Sequence, residues 1–562
     1  MNGINGSDIL KKSKPLDLPK TAIIATIGGP SMFQENENYL SEIIDAGATI
    51  LRINLSYVKK HDDPKSPSYE HIRYIIEKAN EIACQKKCLI GFLFDIFGPK
   101  IRIGEIDNPL HIERGSKIIL KASDEKAISY DENGVPIIPV TYSRIANDVS
   151  VNHRVLINDG RIELKVGEVN TDNDFLLCEV MSNAVSVIKS GNGINLPDSN
   201  VSESSLTLTD EETLITLKAA QLVDEINYIG LSFVKSTDDI SVLRNKCNTL
   251  MSKLPKRIGR LVIPEIISKV ETWQAVKKDD QGSYITLDNI IAKSDGVMVA
   301  RGDLAGETTP DEVPVIQAYI SKKGNEFGKA VIIATQMLAS MMTQNNTRPQ
   351  RAEASDVANA VFGYVDAVML SEETATGAIP GICVNTMREI VSKAENSQRD
   401  ERRCIELPTL TPDTQRIRDL GILGNEVMVR AVAESAILFA ENLNSPAIVV
   451  STSSGDTAIR VSKYRPSQPI IAFTEIEASA KRMLLYRGIY PFFLKGYPDN
   501  IEDLISTYKN ILRDIKVGDK KLIEPRNHQR IYLPMILGIQ PGCDRLAAAS
   551  GNTNTMYILD FE

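Results

Sequence analysis

Residues 294–304 read SDGVMVARGDL and residues 330–338 read AVIIATQML. In each, a short apolar run (Gly296–Ala300, Ala330–Thr335) breaks off at polar residues able to carry chemistry. Short runs of this kind read as strands. Working outward, the pattern recurs at Ala22–Ile27, Ile50–Ser56, Leu89–Asp95, Tyr228–Phe233, Leu261–Lys269 and Ala367–Leu370, eight runs in all. Helical patterns follow most of them: Tyr39–Ala46, Tyr69–Gln85, Glu211–Val223, Asp238–Leu254, Val313–Phe327 and Ala352–Phe362. Thr209 with Glu212 has the spacing of a capping box. Eight strand–helix units predict an α/β fold, a (β/α)8 TIM barrel.

One connection is too long for a barrel loop. Between about Ile101 and Asn200 the pattern is β-like, with Ile162, Leu164 and Val166 alternating against Arg161, Glu163 and Lys165. This predicts a β-rich lid domain inserted over the barrel mouth. After Asn396 a polar stretch, Ser397–Arg403, reads as a linker, and strands and helices then alternate to the end of the chain. The expected division is a leader over 1–20, the barrel over 21–100 and 201–396, the lid over 101–200, and an open α/β effector domain over 397–562.

Of the 562 residues, 43% are hydrophobic and 24% charged, ordinary for a globular protein. No apolar run reaches the ~18 residues of a membrane span. A formal net charge of −9 argues against general nucleic-acid binding, which draws on massed Lys and Arg. The seven cysteines are scattered with no CxxC, so they are read as reduced thiols. Residues 1–20 show neither a secretory nor an Arg-rich transit signal. A cytoplasmic location is the expectation, with neither nucleic acid nor membrane as a partner.

The chemistry of such a barrel sits at the carboxyl ends of its strands. Period two puts Arg52, Asn54 and Ser56 on one strand face, a set suited to a phosphate and a cation. It likewise pairs Lys269 with Glu271. Glu271 and Asp303, from adjacent strand ends, offer a hard oxygen site for Mg²⁺. Lys269 adds the positive charge that phosphoryl transfer requires. Gly302 permits close backbone approach to a ligand.

Four blocks in order, SDGVMVARGDL, ATQML, TRPQRAEASDVANAV and LSEETATG, lie within residues 294–377. On these blocks the chain resembles the pyruvate kinases from about residue 20 to its end. The resemblance implies transfer of the phosphoryl group of phosphoenolpyruvate to ADP, giving pyruvate and ATP at the end of glycolysis. It implies that Arg52 and Lys269 contact the phosphoryl group and that Glu271 and Asp303 hold Mg²⁺ or Mn²⁺. The backbone at Ala300, Arg301 and Gly302 would cradle the substrate carboxylate. Thr335 and Ser371 would belong to a water chain delivering a proton to C3 of enolpyruvate. Asn54, Arg102 and Asp159 would lie at the nucleotide. Thr452, Ser453, Ser454, Gly455 and Thr457 match a loop for a sugar-phosphate activator; a plain helix cap is the other reading, because Asp456 sits unfavourably beside a phosphate. A homotetramer is implied as well. Another Mg²⁺-enolate barrel enzyme acting on phosphoenolpyruvate, or a non-catalytic regulatory relative, are the competing readings.

The chain departs from the commonest family pattern at several positions. Tyr57 replaces a frequent His, Asn192 a lid Lys, Lys235 an Arg and Glu372 a Gly, while Gly28-Gly29-Pro30 and Ala305-Gly306 alter two turns. Lys100 stands where potassium-using members carry Glu. Asn54, Ser56 and Asp95 would then form a vestigial monovalent-cation site whose charge comes from the Lys100 ammonium, so that K⁺ is not required. Glu265, deeper in the fifth strand, has no assigned role.

Overall fold

A computed structural model describes residues 10–561 apart from 30–31, 34–35, 56–66, 97, 99–100, 124, 159, 183–185, 200, 202–207, 220–221, 223–224, 253–262, 344, 401–424, 496–500, 518–519, 525–529 and 538–554. Its centre is a closed barrel of eight parallel strands: Ala22–Thr26, Ile50–Asn54, Gly91–Asp95, Tyr228–Leu231, Glu265–Val270, Gly296–Ala300, Ala330–Ala334 and Ala367–Leu370. All eight apolar runs form barrel strands, several shortened by a residue or two at their ends. The fifth is displaced instead, because it begins at Glu265 and continues to Val270.

Such strands are buried on both faces, which is why they read as nearly continuous apolar runs. Ile23, Leu51, Phe92, Ile229, Ile266, Val297, Val331 and Val368 pack outward in the core shared with the surrounding helices. Ile24, Ile50, Leu93, Tyr228, Ile267, Met298, Ile332 and Met369 fill the interior, in a cluster that continues into the C-terminal domain through Ala458, Met483 and Ile536.

Between the third and fourth barrel strands lies the β-rich insert. A seven-stranded sheet has its longest strand, Ile162–Asn170, paired with Arg154–Ile157 and Phe175–Val180. Ile162, Leu164 and Val166 are buried there, as their alternation predicts. The insert joins the barrel through two adjacent strands of chain. Ile194 N–H donates to Ile101 O at 2.8 Å and Ile103 N–H to Asn192 O at 2.8 Å.

Downstream, parallel strands Ile448–Ser451, Ile470–Thr474 and Ile489–Leu494 form a sheet with Ile531–Leu537 and the antiparallel Thr555–Phe561. Two expectations need correction. Residues 1–20 are not simply a leader: Leu10–Ser13 is an edge strand of this same sheet, antiparallel to Ile489–Leu494. The polar stretch from Ser397 is not all linker either, because the helix Pro380–Asp400 runs through it; 401–403 lie outside the described residues. A run of charged and amide side chains suits an exposed helix as well as a linker, so polarity alone could not separate the two. Thr209 lies one residue inside the helix Leu208–Ala219.

Among the described residues no helix is long and apolar enough to cross a membrane. Cys84, Cys88, Cys178, Cys247 and Cys383 form no disulfide; Cys404 and Cys543 lie outside the described residues.

Candidate active site

Strand phase decides where the polar residues fall. Two residues beyond each interior apolar side chain, at the carboxyl end of its strand or just past it, stand Thr26, Arg52, Asp95, Gly230, Lys269, Ala300, Ala334 and Ser371. Five of these eight are polar: Ser371, Thr26, Arg52 and Asp95 lie at the ends of four neighbouring strands, and Lys269 stands one strand further on, beyond Gly230.

Asp95 is its electrostatic hub. Arg52 donates to it through Nε at 2.9 Å and also through Nη2. Lys269 Nζ lies 3.5 Å from Oδ1. Gly230 makes the room, since a Cβ there would stand 3.0 Å from Asp95 Oδ1. Burial pushes the Asp95 carboxyl up, but Lys269 and Arg52 outweigh it and hold it below the usual range. Arg52 Nη1 also reaches Thr26 Oγ1 at 3.1 Å, which fixes the guanidinium at the mouth.

Lys269 donates to Ser232 Oγ at 2.9 Å and faces Glu271 Oε2 at 3.4 Å. Burial favours its neutral form, yet Asp95 and Glu271 dominate and raise it above the ordinary lysine value, so it stays a cation. Glu271 is fully buried. Its Oε1 accepts the Phe233 N–H at 2.7 Å, while Oε2 has no hydrogen-bond donor. Burial pushes this carboxyl up to about 7, with Lys269 opposing and Asp303 adding to the shift. Phe233 holds φ of 55°, a left-handed conformation that an aromatic residue adopts only when its surroundings impose it.

These features fit a divalent cation. Glu271 Oε2 is a buried oxygen lacking a donor, and Asp303 lies close enough to act electrostatically on both Lys269 and Glu271. Among the described residues no cluster of three or more carboxylate, His or Cys ligands occurs. A two-carboxylate site suits an ion that takes its remaining ligands from substrate oxygens and water.

The loop after the seventh strand is held under strain. Thr335 and Gln336 have φ of 69° and 53°. Arg301, 8% exposed, explains their geometry. Its guanidinium turns beneath the loop, donating to Thr335 O at 3.2 Å and Gln336 O at 3.2 Å and pairing with Asp356. The Arg301 side chain thus braces the loop, and only its backbone is left to face a ligand. Thr335 Oγ1 in turn accepts the Gly302 N–H at 2.9 Å, so this part of the cradle is already tied to Thr335. Ser371 Oγ is buried without a hydrogen-bond partner. Glu373 fixes that turn, accepting Ser371 N–H at 2.8 Å and Leu338 N–H at 3.0 Å.

The remaining expected residues are more dispersed. Asn54 follows Arg52 on the same strand face and is half-buried. Arg102 lies at the base of the insert, where Nη1 donates to Gly191 O at 2.9 Å. The amide of Asn192 closes the adjoining turn, accepting Lys189 N–H at 2.7 Å. Ser56, Tyr57, Lys100 and Asp159 lie outside the described residues.

The Thr452–Thr457 loop binds its own side chains. Thr452 Oγ1 accepts Gly455 N–H at 3.0 Å, and Ser454 Oγ donates to Asp456 at 2.8 Å. Arg482 clamps the loop through Ser454 O at 3.0 Å and Asp456 at 2.8 Å. The same guanidinium donates through Nε to Glu265 at 2.6 Å, and Tyr486 donates to that carboxylate too. Glu265 thereby acquires a place: it joins the foot of the strand bearing Lys269 and Glu271 to the C-terminal domain.

Sequence reasoning missed Thr26, Ser232 and Glu373. Thr26 stands in phase with Ile24, so the period-two rule applied to the first strand would have found it. Ser232 lies in the turn after the fourth strand and Glu373 in the short helix Glu372–Ala375, where no strand periodicity marks them.

Residues 18–384 match the family model described as pyruvate kinase, barrel domain, and residues 430–533 that of the pyruvate kinase alpha/beta domain. Over 479 residues, covering 85% of this chain and 72% of the relative, the chain is 34% identical to pyruvate kinase of Staphylococcus haemolyticus. The figures for pyruvate kinase of Staphylococcus aureus are the same. A crystal structure of a pyruvate kinase from Cryptosporidium parvum superposes with a TM-score of 0.75 at 29% identity, covering 99% of both chains.

Proposed function

The chain belongs to the pyruvate kinase family, and from that premise we propose which residues carry its reaction and under what ionic conditions. The reaction transfers the phosphoryl group of phosphoenolpyruvate to ADP, giving pyruvate and ATP; the chain is a kinase of glycolysis. The family implies a divalent-metal requirement.

The observation that carries the assignment of roles is the buried Arg52–Asp95–Lys269–Glu271 network at the barrel mouth. Asp95 holds two cations in fixed positions, so their charge faces the phosphoryl group without reorganisation. Lys269 bridges the oxygens of donor and acceptor, and Arg52 contacts the phosphoryl oxygens. Glu271 and Asp303 hold Mg²⁺ or Mn²⁺, which supplies charge neutralisation at the substrate oxygens when bound. Backbone at Ala300, Arg301 and Gly302, with the Thr335 hydroxyl on Gly302, orients the substrate carboxylate. Thr335 and Ser371 hold the water chain that protonates C3. Asn54, Arg102 and Asp159 serve the nucleotide.

Lys100 replaces the carboxylate of potassium-using members, so the Asn54, Ser56, Asp95 site is vestigial and K⁺ is not required. A sugar-phosphate activator at Thr452, Ser453, Ser454, Gly455 and Thr457 would meet the Asp456 carboxylate, whose charge Arg482 offsets at 2.8 Å. The expected division is kept as proposed units with two changes: Leu10–Ser13 joins the C-terminal sheet, and the barrel unit extends to the end of the helix Pro380–Asp400. We assign the protein to the cytoplasm as a homotetramer, which sedimentation at micromolar protein tests against a subunit of 62.0 kDa.

Pyruvate formation from phosphoenolpyruvate and ADP, coupled to NADH oxidation and run with a panel of sugar phosphates, tests the reading. ADP-dependent pyruvate release supports it. Phosphoenolpyruvate consumption without ADP would favour another enolate-forming barrel enzyme.

A further inference from the structure

The insert touches the barrel at one short helix, Arg301–Glu307, whose first residues include Gly302 and Asp303, and again where Gln274 of the barrel donates to Ser199 O at 3.1 Å. At its end, Glu307 is shared between the two bodies. One carboxylate oxygen accepts the Asn195 amide of the insert at 2.7 Å, and the other accepts the Trp273 N–H of the barrel at 3.3 Å. One residue earlier, a Cβ on Gly160 of the insert's turn would come within 3.9 Å of Gly306 Cα. Beside this contact lies a cavity of about 50 Å³ whose walls include Ile194 and Asn195 of the insert and Phe233, Thr272 and Glu307 of the barrel. The contact is therefore polar and incompletely packed. Asn195 Oδ1 is buried there without a partner.

We propose that Glu307 is a positioning residue for the reaction: it sets the angle of the β-rich insert over the site and passes that angle to Gly302 and Asp303 at the other end of its helix. Two rigid connections support this. The helix is only seven residues long, so a displacement at its end is felt at its start. The insert meets the barrel through adjacent connecting segments, so its natural motion is a rotation about that hinge, and Asn195 lies beside it. The inference rests on the assignment of Asp303 to the metal and of the barrel mouth to phosphoryl transfer.

The hydrogen-bond polarity makes the idea testable. Asn195→Asp sets two buried carboxyl groups against each other; they share a proton until the pH is high enough to ionise both, so the comparison is read at the alkaline end of the activity range, where their repulsion pushes the insert away. Glu307→Gln is milder, because the carbonyl of the new amide can take the Trp273 N–H while its NH₂ meets a flipped Asn195. Combining the two restores an amide–carboxylate pair with the donor moved to the other side. Expected kcat losses are about tenfold or more for Asn195→Asp, with the KM for phosphoenolpyruvate changed less, and under threefold for Glu307→Gln. The double variant should return to within about threefold of wild type. Trp273, the only tryptophan, supplies a readout independent of turnover: its emission should shift in Asn195→Asp and return in the double variant. A folded Asn195→Asp protein with wild-type kcat, or a double variant no better than Asn195→Asp, would overturn the proposal. Should Asn195→Asp not fold, the same comparison runs on Asn195→Ala against Glu307→Ala: equal losses that do not add in the pair support the latch, and additive losses refute it. Wild-type turnover, measured alongside, separates failure of the latch from failure of the catalytic reading.

Discussion

At the scale of single residues, the site stores free energy in specific atoms. Ser371 Oγ is buried without a hydrogen-bond partner, an arrangement that costs roughly 1–3 kcal/mol in a folded protein. If that hydroxyl holds a proton-delivering water, its removal should slow the reaction while leaving the fold as stable or more so. Ser371→Ala is expected to lower kcat about tenfold or more with an unchanged or raised melting temperature. A variant that melts earlier and turns over normally would assign Ser371 to packing instead. Lys269 and Glu271 were legible at this scale because strand alternation alone puts them side by side. Arg301 was only half legible. Its neighbours place it at the site, but nothing in the linear sequence shows that a guanidinium will turn beneath the Thr335–Gln336 loop and brace two left-handed residues.

At the scale of elements, the eight barrel strands were legible because burial on both faces makes each a continuous apolar run. The edge strand Leu10–Ser13 was not, since it carries Lys11 and Lys12 and draws its stability from pairing with Ile489–Leu494. Edge strands tolerate charge for this reason. The entry to the first barrel strand shows how elements are tied together. Glu395, on the helix Pro380–Asp400, accepts Lys20 N–H at 3.0 Å and Thr21 N–H and hydroxyl at 2.8 Å each, and it faces Arg487 at 3.3 Å. Burial raises this carboxyl, but Arg487 and the donated N–H groups prevail and hold it below its ordinary 4.5. A depressed carboxyl contributes stability that is present above its ordinary value and lost as pH falls through its folded value. Glu395→Gln should therefore be less stable by roughly 3 kcal/mol at neutral pH, and the gap should close as pH drops below 4.5. Urea midpoints of both proteins across that range check this; a gap independent of pH would mean that Glu395 titrates alike in the folded and unfolded chain, and would contradict a depressed carboxyl.

At the scale of the whole molecule, the C-terminal domain is joined to the foot of the barrel by Arg482 on Glu265, by Arg465 on Asp366, and by Tyr228, which donates to Lys481 O at 2.9 Å. The Glu265 joint was illegible in sequence, because a carboxylate at the foot of a barrel strand makes sense only once its partner arrives from more than two hundred residues away. The ionic requirement belongs to this scale too, as a property of the assembled site. Initial rates in choline salts should not rise on adding K⁺, and Lys100→Glu should create a dependence on it; activity appearing only with K⁺ would contradict the vestigial site. The central claim is that a buried, permanently charged Lys269, held by Asp95 and Glu271, stabilises the transferring phosphoryl group. The most direct measurement is the turnover of Lys269→Met in the phosphoenolpyruvate-plus-ADP assay with saturating Mg²⁺. Loss of several kcal/mol of transition-state stabilisation predicts a fall of about 10³-fold or more. Turnover close to wild type in a folded Lys269→Met protein would contradict the account.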